Sequence, residues 1–153
     1  MDILENINER LIFDKDEICA GGEQDIEKII QISPVPLPED YIGFLKQISG
    51  EGSYGPEFIV KDEGMSIWIW SAEMAIEKLE EFDEPFDQEF RSKAWMFGND
   101  LGDLLYFFGE GKEGFGLYRT EAGSLDMERA DKISDTLTDF LVNGVGIDIA
   151  TTL

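Results

Sequence analysis

Thirty-four aspartates and glutamates and not one histidine limit the chemistry open to this chain. Without imidazole it lacks the commonest general base, the serine and cysteine triads built on that base, and the usual ligands of zinc. Its lone cysteine, Cys19, has no partner to make it a thiolate nucleophile and reads as a plain loop or half-buried thiol. Two carboxylates with separated pKa values can hydrolyse a glycoside, but among so many acids the presence of pairs carries almost no information.

The remaining chemical motifs resolve into structural ones. Asn99, Asp100 and Asp103 could gather oxygens around Ca²⁺ or Mg²⁺, yet their spacing is not that of an EF-hand loop, and a Gly-Asp turn into a strand accounts for them. Gly109-Glu-Gly111-Lys-Glu-Gly114 has the letters of a dinucleotide fingerprint. It joins two expected strands, opens no helix and puts two acids where phosphate would approach, which makes it a hairpin. Trp68, Trp70 and Trp95, with Phe107 and Phe108, could stack bases, but strand positions in an acidic surround make them core. The expectation is a non-enzymatic protein with no cofactor and no metal.

Twelve basic residues leave a net charge of −22, a field that repels nucleic acid and anionic lipid and speeds encounter with a basic partner. The imbalance is steepest between Glu73 and Glu89, where Glu73, Glu77, Glu80, Glu81, Asp83, Glu84, Asp87 and Glu89 face the single base Lys78. No apolar run approaches the roughly 18 residues that span a bilayer. An N-terminus carrying Asp2, Glu5 and Glu9 is unlike a secretory leader, and with one unpaired cysteine the expected location is the cytoplasm. Forty-two per cent hydrophobic residues, with eleven Phe, are enough for a disulfide-free core, and 153 residues suit one domain.

The elements that must position these residues follow from periodicity. Asp2 and Glu5 have capping-box spacing, and Ile3, Leu4, Ile7 and Leu11 share a helical face, predicting an N-terminal helix that ends near Phe13. A loop over Asp14–Gly22 precedes a short helix marked by Ile26, Ile29 and Ile30 and halted before Pro34. Pro34, Pro36 and Pro38 give an extended connection. Pro38 then opens a helix carrying Tyr41, Phe44, Leu45 and Ile48, with Gly50 placed for a left-handed C-cap.

Phe58–Val60 and Ile67–Trp70 predict strands, the second with its tryptophans on one face. Ser71 caps a helix with the stripe Ala72, Ala75, Ile76, Leu79 and Phe82, which ends in the acidic region around Pro85. The runs Ala94–Phe97, Leu104–Phe108, Phe115–Arg119 and Leu125–Ala130 predict an antiparallel meander. Ile133, Leu137, Phe140 and Leu141 predict a closing helix stopped at Asn143-Gly144, leaving Val145–Leu153 as a tail. The fold class is α+β, a mainly antiparallel central sheet flanked by N-terminal, middle and C-terminal helices.

Leu37-Pro38-Glu39-Asp40-Tyr41, followed by Phe44-Leu45 and Gly50, resembles the first signature of the SUKH superfamily, which includes the Smi/Knr-type proteins. Ile69-Trp70-Ser71, then Phe97-Gly98-Asn99-Asp100, then Phe140-Leu141 follow in the family's order, so the resemblance spans roughly residues 23–144 of a domain taken as 1–153. It implies an α+β domain that in bacteria commonly serves as the immunity protein of a polymorphic toxin, often a nuclease, by binding it directly. Leu37, Pro38, Tyr41, Phe44, Leu45, Gly50 and Trp70 are then fold-holding residues. The expected contacts to a basic cognate toxin are Glu80, Glu81, Asp83, Glu84, Asp87, Asp100 and Asp103, which fall in acidic turns and helix ends. A regulatory or scaffolding module and a two-carboxylate glycosidase are the rival readings.

Overall fold

The computed structural model describes residues 2–151. Seven strands form one antiparallel sheet in chain order: β1 (Leu11–Ile12), β2 (Glu57–Val60), β3 (Ser66–Ile69), β4 (Ala94–Asn99), β5 (Leu104–Gly111), β6 (Gly114–Glu121) and β7 (Asp131–Ser134). Each strand therefore pairs with its neighbours along the chain. At the glycine-rich motif Gly111 pairs with Gly114 across the two-residue turn Lys112-Glu113, the hairpin expected there.

Among the described residues, six α-helices dress the sheet: α1 (Glu23–Ile32), α2 (Glu39–Ile48), α3 (Ala72–Leu79), α4 (Pro85–Arg91), α5 (Leu137–Leu141) and α6 (Ile147–Thr151). The α+β class read from the sequence is the class adopted. Helix α2 is central, because its i, i+3, i+4, i+7 stripe of Tyr41, Phe44, Leu45 and Ile48 is wholly buried. Phe44 meets Phe58 of β2, and Tyr41 packs on Phe108 of β5 and Phe97 of β4 with ring centroids 4.8 and 6.2 Å apart. Asp40, in the first turn of α2, accepts hydrogen bonds from the backbone N–H and the hydroxyl of Thr138, both 2.9 Å, and so ties α2 to the start of α5. On the opposite face of β5, Phe107 packs edge-to-face on Phe90 of α4 at 4.9 Å. With both faces covered, β4 and β5 lose period-2 alternation and read as continuous apolar runs.

Tyr41, Phe44, Leu45 and Trp70 lie in the core, Leu37 packs against it, and Pro38 is the N-cap of α2. Gly50 has a different role from the one its position suggested. Its φ is not positive, and it is needed because the chain at Cys19-Ala20 passes so close that a Cβ would meet Cys19 Sγ and the Ala20 carbonyl oxygen.

Three other expectations give way to tertiary structure. The N-terminal helix is reduced to one 3₁₀ turn at Leu4–Asn6, although Asp2 does accept the predicted cap bond from the Glu5 N–H. Asn8 instead donates its N–H to the Leu141 carbonyl, and Leu11 pairs with Val60 in the sheet. An isolated turn with those competing partners does not propagate. The run Leu125–Ala130 is a turn segment burying Leu125 and Ala130, and the last strand lies just after it, with Ile133 in β7 and not in the closing helix. The tail from Val145 contains α6, whose Ile147 and Ala150 are buried and whose Ala150 carbonyl accepts from Tyr106 Oη at 3.1 Å. Helix α4 had no sequence counterpart, since one buried position, Phe90, in seven residues makes no periodic signal.

Burial drives the Tyr41 and Tyr106 phenols well above the ordinary tyrosine value. The unfolded chain ionises these groups first, so their contribution is intact below about pH 10 and folding stability falls as pH rises past it. Trp95 donates its indole N–H to Tyr41 Oη at 3.0 Å inside this core. Tyr41→Phe leaves that donor unsatisfied and should cost about 1–3 kcal/mol in urea unfolding; a loss near zero would show that the bond contributes nothing net.

Candidate functional site

The ladder register brings the site together. Glu57 of β2 is opposite Trp68 of β3, and Trp68 is opposite Asn99 of β4. Phe58, Ile67 and Ile69 turn to the core, which leaves Glu57 and Trp68 on the other face. There a cleft of about 710 Å³ opens, bounded by the loop after α2, the Asp16–Cys19 segment, Met74 of α3 and the β4–β5 turn. Four carboxylates line it, from Asp16, Glu17, Glu51 and Glu57, with the apolar side chains of Tyr54, Trp68, Met74 and Leu101. No lysine or arginine is among its described lining residues.

The wall formed by Ser49–Gly55 is fixed by hydrogen bonds to the β3–α3 junction. Ser71 Oγ donates to the Ser53 carbonyl at 2.7 Å and accepts from the Met74 N–H as the N-cap of α3. Ser49 Oγ accepts from the Ala72 N–H at 2.9 Å, satisfying a donor that the helix itself leaves open. Ser53 Oγ donates back to the Ile48 carbonyl at 2.6 Å, and the Trp68 indole N–H donates to the carbonyls of Tyr54 and Gly55. Gly55, at φ +96°, lies against β3 so closely that a Cβ would meet the Ile69 carbonyl oxygen. Glu57 accepts from Ser66 Oγ at 2.7 Å, which orients its carboxylate.

The opposite wall carries an unusual backbone. Leu101 is the one non-glycine residue with positive φ among the described residues, at 63°, and its side chain is 54% exposed. Asn99 Oδ1 accepts from the Leu101 N–H at 3.0 Å, and Asp100 Oδ1 accepts from the N–H groups of Gly102 and Leu104 at 2.8 and 3.1 Å. These bonds hold an exposed leucine in a conformation that costs about 1 kcal/mol or more.

The indole of Trp68 also faces a cation of its own chain. Lys78 Nζ lies 5.5 Å from the Trp68 ring and 6.0 Å from that of Trp70, and pairs with Glu81 at 3.3 Å. Trp68 thus differs from Trp70 and Trp95: it is only partly buried and belongs to the cleft as much as to the core.

Of the acids singled out by sequence, none lines the cleft: Glu81 pairs with Lys78, whose ammonium lies over the Trp68 ring, and Asp100 shapes the turn that presents Leu101. Glu80 ends α3 and Asp103 is exposed on the β4–β5 turn. Asp83 and Glu84 lie at the α3–α4 junction and Asp87 in the first turn of α4, and Asp83 lines a separate depression with Ile32, Leu79 and Arg91. Asp16, Glu17, Glu51, Glu57, Tyr54 and Met74 were not anticipated. The one legible signal among them was Tyr54, an aromatic isolated within Glu51-Gly-Ser-Tyr-Gly-Pro56, where no periodicity gives it a core position.

A meandering sheet overlaid by α2, with a cleft beside β3, defines an α+β domain with a pre-shaped acidic recess. The model of the SMI1 / KNR4 family (SUKH-1) matches residues 22–143, and the chain belongs to that family. The match covers α1 through α5 and leaves β1 and α6 outside it. No curated protein matches the chain. Among the described residues, no helix is long and apolar enough to cross a membrane.

Ser71→Ala removes the α3 cap and leaves the Ser53 carbonyl short of a donor, so it should destabilise the fold by about 2 kcal/mol in urea titration. An unchanged midpoint would show that the loop is held by other means.

Proposed function

We propose that this protein is a non-enzymatic immunity protein that binds a cognate polymorphic toxin, a basic nuclease, and blocks it in the cytoplasm. The observation that carries the reading is the cleft itself: four carboxylates around an aromatic and aliphatic floor, with no base among the lining residues. A nuclease surface must attract phosphates, so it presents lysine and arginine, and an acidic protein competes for that same ground. Family membership and the net charge of −22 support the reading.

Division of labour follows from the physics of association. The distributed acids Glu80, Glu81, Asp83, Glu84, Asp87 and Asp103 steer the encounter, while apolar contacts set how long the complex lasts. Nothing in this role calls for a cofactor.

If a neighbouring gene encodes a toxin domain, co-expression with that domain should restore growth, and the purified components should form a complex. Raising salt from about 0.05 to 0.5 M should slow association roughly tenfold or more and change dissociation about twofold or less. Growth arrest despite co-expression, with no complex, would sink the proposal.

A further inference from the structure

The cleft beside Trp68 has a composition that selects its occupant. Tyr54 is 67% and Leu101 54% exposed, so two large apolar side chains stand at its mouth without being needed by the core. The carboxylates alone would suit any solvated cation, and the apolar groups alone any hydrophobe. Their combination suits a side chain with an apolar stem and a cationic end. Lys78 already demonstrates the chemistry from within the chain, with its ammonium over the Trp68 and Trp70 rings and a carboxylate, Glu81, as counter-ion. A second exposed patch, around Phe86 of α4, lacks this selectivity because Lys93 shares its depression with Glu89 and Glu128.

The geometry points to this cleft as the docking groove for a basic segment of the partner. An arginine or lysine lies along Trp68 and Met74 with its cationic end among the carboxylates of Asp16, Glu17, Glu51 and Glu57, and an adjacent apolar side chain seats on Tyr54 and Leu101. That the segment belongs to a toxin rests on the immunity reading; the chemistry of the occupant does not. The wall residues are hydrogen-bonded in place before any partner arrives, so docking does not require the loop to be ordered at that moment. Leu101 is displayed outward by a turn in which its N–H donates to Asn99 Oδ1 and Asp100 Oδ1 accepts from Gly102 and Leu104, and the cost of its backbone conformation is repaid by a contact that the free protein lacks.

The chain's single thiol, Cys19, is exposed and lines the cleft, which makes it a built-in reporter of occupancy. The probe is a short synthetic peptide of alternating arginine and leucine, with an alternating glutamate and leucine peptide as control. At saturation the basic peptide should abolish most alkylation of Cys19, and the acidic one should leave it unchanged. Tyr54→Ala and Leu101→Asn, the latter a residue that tolerates left-handed backbone, should each weaken peptide binding roughly tenfold, while Phe86→Ala changes it by less than about twofold.

A basic peptide that fails to bind, that binds without protecting Cys19, or that binds both cleft variants as well as the natural protein overturns the groove, even if the protein neutralises its toxin. A neighbouring toxin that forms no complex, while the peptide still protects Cys19, overturns the immunity reading and leaves the groove standing.

Discussion

Three serine hydroxyls hold the wall of this structure's acidic cleft in place. The loop from Ser49 to Gly55 leaves α2 with polar backbone groups that burial would otherwise orphan, and α3 begins with N–H groups that no helix can satisfy internally. Ser49, Ser53 and Ser71 settle both needs together: Ser49 serves the Ala72 N–H, Ser53 the Ile48 carbonyl, and Ser71 both the Ser53 carbonyl and the Met74 N–H. Because α2 is locked into the core by Tyr41, Phe44, Leu45 and Ile48, and α3 follows directly from β3, the loop inherits the rigidity of both. The two glycines in this stretch that approach neighbouring backbone, Gly50 and Gly55, permit contact with Cys19-Ala20 on one side and the end of β3 on the other.

That rigidity works against a large electrostatic load. A net charge of −22 on 153 residues repels itself, and the ion pairs present are mostly surface pairs of small worth. Arg10 reaches Asp148 at 2.9 Å and also Asp62 and Glu63, which ties α6 to the β2–β3 turn. The buried aromatic cluster of α2, β4 and β5 therefore carries most of the cohesion. In the complex proposed above, a basic partner would relieve this repulsion, so the charge that strains the free protein would favour the bound one.

The parts of this design that follow one period over many residues were legible in the sequence. Helix α2 repeats its apolar residues over two turns, β3 alternates, and the β5–β6 hairpin has its turn glycines in place. What escaped was fixed by contacts distant in sequence. The N-terminal stripe is helical in spacing, yet Leu11 is claimed by Val60 and Asn8 by Leu141. Helices α4 and α6 are one to two turns long, too short for a moment to emerge from noise. The cleft was invisible for a related reason. Asp16, Glu51, Glu57 and Leu101 come from four separate segments, brought to one place by the register of Glu57 with Trp68 and of Trp68 with Asn99, by the serine bonds that hold the loop, and by the Gly50 N–H donating to the Cys19 carbonyl. Acid density along the chain pointed instead to the α3–α4 junction, which holds charge but lines a different depression.

The central claim is that the cleft wall is built before a partner arrives, and amide hydrogen exchange of the free protein tests it most directly. Ala72 is the first residue of α3, where an N–H has no acceptor within the helix, so protection there reports on its burial and its bond to Ser49 Oγ. The account predicts that the amides of Ala72, Ser71 and Gly50 exchange only with global unfolding, held by Ser49 Oγ and the carbonyls of Tyr54 and Cys19. Exchange of these three amides at the rate of an unstructured loop, while the amides of α2 stay protected, would contradict it.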